Sequence, residues 1–345
     1  RSTIVNEVTT YTYEGYANIT GDIYGGSAKG KVNATKGGTQ ESPTYTATTP
    51  EKNTQVNFYG GTIKDTDTPS GKGNIYGGGK GDNTVSPSIS ANIHGTATST
   101  INAGLIDTIF GGGNMSGDID SISLVLAHVG TCTEVFNQVY GGANEAAIAG
   151  NLNTTINCGV DKVGDIYGGS NLALVEGDVT LNIRGGHFNN VFGGSKGAPG
   201  DGNGADITGD VELNLNGGTM VNAFGGSNVQ GNIGGLITVN VLDTVTGCGL
   251  VVDTIYGAGQ DAAYNPTSLA SGVMSPVVNL KKGTVGEGTT VNDIMVYGCV
   301  FGGGKGETAT VNSHPKVVIG DDTYGPIHVL GKVLGGGNLA SVEES

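Results

Sequence analysis

Tryptophan is absent, cysteine and methionine occur four times each, and proline occurs nine times in 345 residues. Four cysteines in a chain this long do not make a disulfide scaffold. Low proline, and glycine without a three-residue period, exclude collagen, while 36% apolar residues argue against simple disorder. No apolar run approaches the roughly 18 to 20 residues needed to cross a bilayer as a helix. Basic residues are also few: 16 Lys and Arg face 31 Asp and Glu, a net charge of −15. That balance repels phosphate backbones and anionic membranes and provides no basic stripe, so nucleic acid is not an expected partner. The chain opens RSTIVNEV, with neither Met nor a signal peptide, and reads as a processed or excised segment.

What is abundant is glycine, 65 residues of it, with Asn, Thr, Val and Ile crowding the strand-like runs. Leu, Lys and Glu are too sparse for helices, so the composition is β-rich with many turns. The glycines recur in a unit, aliphatic–aromatic–Gly–Gly. It stands as IYGGS at Ile23, IYGGG at Ile75, IFGGG at Ile109, VYGGA at Val139, IYGGS at Ile166, VFGGS at Val191 and AFGGS at Ala223. Looser copies are IYGAG at Ile255, VFGGG at Val300 and VLGGG at Val333. The aromatic positions are 52, 34, 30, 27, 25, 32, 32, 45 and 33 residues apart, so the minimal unit is about 25 residues with insertions added. A degenerate copy at Val56–Thr62 is expected inside the longest gap. Upstream of most copies lies an alternating run such as TLNIRGG or ELNLNGG, which reads as a strand.

Three positions before each aromatic stand Gly21, Gly73, Asp107, Asn137, Gly164, Asn189, Val221, Asp253, Gly298 and Gly331. All but Val221 belong to the types that tolerate a left-handed backbone, which predicts a tight bend there. Each unit then offers about three strand segments: the alternating run, the aromatic run and a weaker segment after the glycines. Units of this size cannot bury a core alone, but stacked coils can. The expected fold is all-β, a single-domain right-handed parallel β-helix spanning 1–345 with about ten to eleven coils. Right-handed winding follows from the crossover rule, and about 4.8 Å per coil gives a rod roughly 50 Å long. A β-propeller needs blades of about 40 to 50 residues, more than the shortest units supply.

These residues resemble the glycine-rich repeat regions of secreted, adhesin-like bacterial surface proteins. The resemblance is carried by Ile109–Asn114 with Ser116–Asp118, by Ile166–Asn171 with Gly177–Val179, and by Ala223–Asn228 with Gly231–Ile233. It implies a right-handed β-helix, secreted or at the cell surface, and adhesion or a structural role more often than catalysis. Its expected partners are an extracellular protein or glycan, or further copies of itself stacked end to end as a fibre. The uncapped ends of the repeat suggest that second arrangement.

Insertions are expected near 27–55, 196–206 and 258–276, as loops on one side. In the second of these, Asp201, Asn203, Asp206 and Asp210 offer oxygens to calcium, which needs six to eight. The ordinary alternative is an acidic turn. Gly-Asp recurs at Asp22, Asp118, Asp165, Asp178 and Asp210. A catalytic pair occurs once, so recurrence points away from a polysaccharide-active enzyme, and no catalytic residue or cofactor is expected. The histidines form no HxH or HExxH pair. Cys132, Cys158 and Cys248 fall almost in one column, and Cys132 with Cys158, on consecutive coils, is compatible with either a disulfide or a thiol stack.

The aromatic column comprises Tyr24, Tyr76, Phe110, Tyr140, Tyr167, Phe192, Phe224, Tyr256 and Phe301, with Leu334 last. Strict alternation turns these rings outward, as a platform for sugars or protein. A bulge at the glycines, or a covering loop, would bury them instead.

Overall fold

Side chains of Ile93–Ile101 are buried at every second position, and so are those of Thr54–Phe58. This is what the alternating runs require of strands with one face against a core. The computed structural model describes residues 2–5, 8–11, 17–39, 42–48, 53–65, 71–128, 134–200, 202, 204–267, 269–286, 289–291, 294–320 and 322–343. The described residues contain strands, bridges and turns and no helix.

Strands pair in parallel with their counterparts one repeat away. Leu152–Ile156 pairs with Ile119–Leu126 on one side and Val179–Phe192 on the other. Lys162–Tyr167 lies between Glu134–Tyr140 and the far half of Val179–Phe192. Among the described residues, twenty strands join in one hydrogen-bonded network of solenoid type. The third side of each repeat is thinner than the expected strand. It consists of single parallel bridges, Ile119 to Ile148 to Val175 to Ile207 to Ile233.

Two apolar cores run through the stack. Leu124, Leu181, Leu213 and Val239 meet Val139, Ile166, Val191 and Ile255 in one. The bridge column Ile148, Val175, Ile207 and Ile233 meets Leu152, Val179, Val211 and Ile237 in the other. Burying each such side chain contributes about 1.5–3 kcal/mol. Between the cores, the glycines after each aromatic approach the long strand. A Cβ on Gly168 would lie 2.3 Å from the carbonyl oxygen of Gly193 and 3.0 Å from Val179 Cγ1. Only a residue without a side chain fits there.

Several expectations are corrected. The column three before the aromatics is a corner, yet only Gly21 among the ten has a positive φ, at 103°. The backbone instead leaves the ladder for one residue: Ile106↔Phe136 is followed by Thr108↔Gln138, and Phe188↔Met220 by Asn190↔Asn222. Val221 therefore needs no exemption. The left-handed turn sits six residues before the ring, at Gly104, Gly186 and Gly218, with φ of 136°, 101° and 90°. Val56–Thr62 is not a hidden aromatic copy, because Tyr24 pairs directly with Tyr76. Val56 to Phe58 pair instead with Ser99 to Ile101 of the long-strand column.

The insertions also shift. Within 27–55, Val32 bridges to Ile93 before the chain leaves as the antiparallel hairpin Ala34–Gly38 with Pro43–Ala47. Within 258–276, Tyr264 is buried in the second core and bridges to Val311, so it is a rung and not a loop. Ala205, at the end of 196–206, and Ile207 beside it are likewise buried, while Pro199 and Gly200 are exposed. A further hairpin, Thr289–Val291 with Ile294–Val296, accounts for part of the 45-residue gap and lies outside the three expected segments.

Candidate functional site

The aromatic column forms a continuous ladder. Successive rings from Tyr24 to Phe301 lie 4.7–5.0 Å apart, tilted by no more than 8° from parallel. The ring spacing matches the strand spacing, since each ring is carried by one rung. Alternation holds: the preceding aliphatics join the first core, while the rings form a cluster of their own on the opposite face. That cluster is nonetheless buried. Tyr76, Phe110, Tyr140, Tyr167, Phe192, Phe224 and Tyr256 are all 5% exposed or less, with only Tyr24 and Phe301 partly open at the ends. For these seven rings the outward-facing platform is replaced by a buried ladder, while Tyr24 and Phe301 keep partial exposure. The chain that follows the glycines covers the rings, as a neighbouring segment rather than a bulge.

The covering segment also supplies hydrogen bonds. Asn114 donates its side-chain amide to Tyr24 Oη at 2.9 Å, and Asn228 to Tyr167 Oη at 3.1 Å. Asn144 donates to Asn114, and Asn171 to Asn144, at 2.9 and 2.8 Å. The ammonium of Lys305, in the same column, lies 5.9 and 6.0 Å from the ring centres of Phe224 and Tyr256. Burial pushes the Tyr24 and Tyr167 hydroxyls up to about 12, opposed in each case by the asparagine amide. Those of Tyr76 and Tyr140 are raised further, again chiefly by desolvation.

The recurring Gly-Asp residues are rungs as well. Asp178 Oδ1 accepts the backbone N–H of Asp210 at 2.9 Å, and Asp210 Oδ1 that of Leu236 at 2.7 Å. Asp22 accepts the N–H of Asn74, and Asp165 the amide of Asn190, each at 2.9 Å. Of the four residues considered for calcium, Asp201 and Asn203 lie outside the described residues. Asp206 and Asp210 hold different backbone groups of the next rung, Asn232 N–H and Leu236 N–H. No group of three or more His, Cys, Asp or Glu side chains is arranged for a metal ion among the described residues. The segment GGSKG, Gly193–Gly197, has the Gly-x-Ser-x-Gly spacing of a nucleophilic serine. Ser195 is fully buried, and its Oγ accepts the N–H of Ser170 at 3.1 Å. It sits in a column with Ser170 and Ser227, which bond to their neighbours in the same way.

The cysteine pairing differs from the neighbouring pair considered above. Cys158 is bonded to Cys248, with Cα atoms 5.8 Å apart across 90 residues of sequence. Cys132 lies outside the described residues. The two bonded cysteines belong to rungs separated by two others, which turn at Gly185-Gly186 and Gly217-Gly218. With no side chains there, the flanking loops lie down over both corners. A Cβ on Gly185 would stand 2.6 Å from Cys158 Cα, and one on Gly217 2.4 Å from the Cys248 carbonyl oxygen.

Beside this strap is a cavity of about 480 Å³ lined by Thr155, Asn182, Arg184, Asn216, Thr244, Val245 and Thr246. A second, of about 580 Å³, has Pro199 and Gly202 on one side and Asp206, Gln230, Asn232, Asp261 and Asn265 in its wall. Gln230 holds Gly200 and Gly202, accepting from Gly200 N–H at 3.1 Å and donating to Gly202 O at 2.9 Å. Its amides and carboxylates are largely engaged in rung-to-rung bonds, such as Asn265 N–H to Asn232 Oδ1 at 2.8 Å. Comparisons with protein-family models, with curated proteins and with solved structures return no match to this chain.

Proposed function

We propose that the chain is a single right-handed parallel β-helix that works as a non-enzymatic, adhesin-like or structural element, presenting its excursions to an extracellular protein or glycan. The observation that carries this reading is the use of the repeat's own polar side chains. Asn, Asp and Ser columns are engaged in bonds between rungs, so the stack is a scaffold, and variety is confined to segments that leave it. The hairpin Ala34–Gly38 with Pro43–Ala47 is the clearest of these, with Tyr45 42% exposed at the reach of Lys31. The Cys158–Cys248 disulfide supports a secreted or cell-surface location, because such bonds persist in oxidising compartments. No helix among the described residues is long and apolar enough to cross a membrane. The test is binding of the purified protein to a glycan array and to cell surfaces, before and after residues 34–47 are replaced by a short Gly-Ser turn. Loss of binding with an intact fold supports presentation by the hairpin, and binding that is absent from the start overturns it.

A second reading, stacking of β-helices end to end as a filament, is favoured by the last rung. Leu334 and Val342 are 38% and 42% exposed, whereas Tyr256, in the column of Leu334, and Tyr264 and Val311, in that of Val342, are 4% exposed or less. Electron micrographs across a concentration series decide this. Filaments support the reading, and strict monomers at high concentration remove it.

A further inference from the structure

The 480 Å³ cavity beside the disulfide strap combines features found nowhere else among the described residues. The sequence has two arginines, Arg1 and Arg184, and Arg184 lines this cavity. No carboxylate lines it, although the chain carries 31 acidic residues. Its other polar groups are the hydroxyls of Thr155, Thr244 and Thr246 and the amides of Asn182 and Asn216.

The amides are already oriented. Asn182 donates to Asn153 Oδ1 at 3.3 Å and to Thr155 Oγ1 at 3.5 Å, and Asn216 donates to Leu242 O at 3.2 Å. Accepting from Asn182 leaves the Thr155 hydroxyl proton available to a ligand, alongside those of Thr244 and Thr246. The Arg184 guanidinium adds up to five N–H donors in a planar fork, which matches a carboxylate bidentately. No carboxylate among the described residues pairs with it. The site is therefore rich in donors, carries one positive charge and is large enough for a monosaccharide.

Its rim is held in place. Thr244 and Val245 donate their backbone N–H groups to Asn216 O at 3.2 and 3.3 Å, and three residues after Val245 the loop is locked by Cys248 to Cys158. Binding then meets a wall already ordered, which lowers the entropic cost of closing on a ligand.

From this we infer that the cavity at Arg184 binds a carboxylate-bearing sugar, such as a uronic acid unit of an extracellular glycan. Arg184 holds the carboxylate, and the threonine hydroxyls and Asn216 meet ring hydroxyls. This deepens the glycan-presenting reading and rests on it, but uses a different surface from the 34–47 hairpin.

The test is calorimetric titration of the intact, oxidised protein with glucuronate, glucose and acetate, with sulfate as a fourth arm. Saturable binding of glucuronate, with glucose at least tenfold weaker and acetate and sulfate weaker still, is the expected result. Arg184→Lys should weaken glucuronate binding about tenfold, since a point charge replaces the fork, and Arg184→Gln should abolish it. Thr246→Val, an exposed-rim change that leaves the charge in place, should weaken it by a smaller factor. Equal binding of glucose and glucuronate overturns the proposal, as does glucuronate binding that survives Arg184→Gln. Acetate or sulfate binding as tightly as glucuronate would identify a simple anion site and also overturns it. Array binding that is lost with the hairpin yet unaffected by Arg184→Gln would leave the presenting function standing while removing this site.

Discussion

Asn228 donates its side-chain amide to the hydroxyl of Tyr167, 61 residues earlier, across the intervening rung that carries Phe192. The same step of two rungs joins Asn114 to Tyr24 at 2.9 Å and Asn338 to Tyr256 at 3.5 Å. In each case the asparagine's own rung carries a ring or side chain without a hydroxyl: Phe224, Phe110 or Leu334. Each amide reaches back over one rung, past Phe192, Tyr76 or Phe301, so the step of two rungs is kept whether or not the bypassed ring carries a hydroxyl. Stacked rings contribute about 0.5–1.5 kcal/mol per pair, and the amide bond stitches the covering segment onto them.

Tyr167→Phe is expected to destabilise by about 1 kcal/mol, the ordinary net value of such a bond, with the part-buried Asn228 amide left unpaired. Asn228→Ala should cost a similar amount. In a double-mutant cycle under urea the two losses should be less than additive. Full additivity would mean that the bond contributes nothing.

The glycines after the rings differ in what stands above them. Gly168→Ala places a Cβ 2.3 Å from a backbone oxygen of the next rung, and the local ladder bond from Gly168 N–H to Phe192 O at 2.8 Å prevents retreat. A loss of about 1–3 kcal/mol or more is expected, as for other overpacked sites. Gly335 occupies the same motif position but has nothing within 4 Å. Gly335→Ala should stay within about 0.5 kcal/mol of the parent in urea unfolding. A large cost at Gly335 would instead show that another rung covers it in solution.

Reduction of Cys158–Cys248 should loosen the stack. The bond closes a 90-residue span, for which the chain-entropy relation yields about 4–5 kcal/mol of stabilisation. A phosphine reductant, or Cys158→Ser with Cys248→Ser, is expected to lower the urea midpoint measurably. An unchanged midpoint would show that the bond does not form or does not constrain the unfolded chain.

Alkaline pH should unfold the ladder. The Tyr24 and Tyr167 hydroxyls titrate near 12 in the folded chain against 10 when unfolded. Above pH 10 the unfolded state therefore holds fewer protons than the folded one. Their contribution to stability is complete below pH 10 and is lost as pH rises towards 12. Absorbance at 295 nm, followed together with far-ultraviolet circular dichroism, should show these phenols ionising only as strand structure is lost. Ionisation of Tyr167 in a still-folded chain below pH 11 would contradict the burial described above.

Much of this architecture was legible because a stacked fold repeats its demands. One ring, one aliphatic and a small-residue triplet per rung are each required by contact with the next copy, so they recur as columns. The long-strand alternation was equally plain, as in Leu181, Asn182 and Ile183. The corner chemistry was not: Asn189 and Val221 meet the same need without a left-handed backbone, while Gly186 and Gly218 have it. Residue type alone does not report φ. Nor did the length of a gap show which of its residues remain in the stack, as the buried Tyr264 demonstrates.

By itself, the sequence determined the all-β character, the positions of the rungs and the aromatic column, because these follow from local periodicity and from turn-forming residues. Tertiary structure decided what periodicity does not encode. Outward-pointing rings are buried because the segment after the glycines folds over them. Cys158 meets Cys248 because two side-chain-free corners let distant loops touch. Arg184, an isolated charge in the linear chain, lies in a cavity built by three rungs and a strapped loop, and that setting comes from packing between segments far apart in sequence.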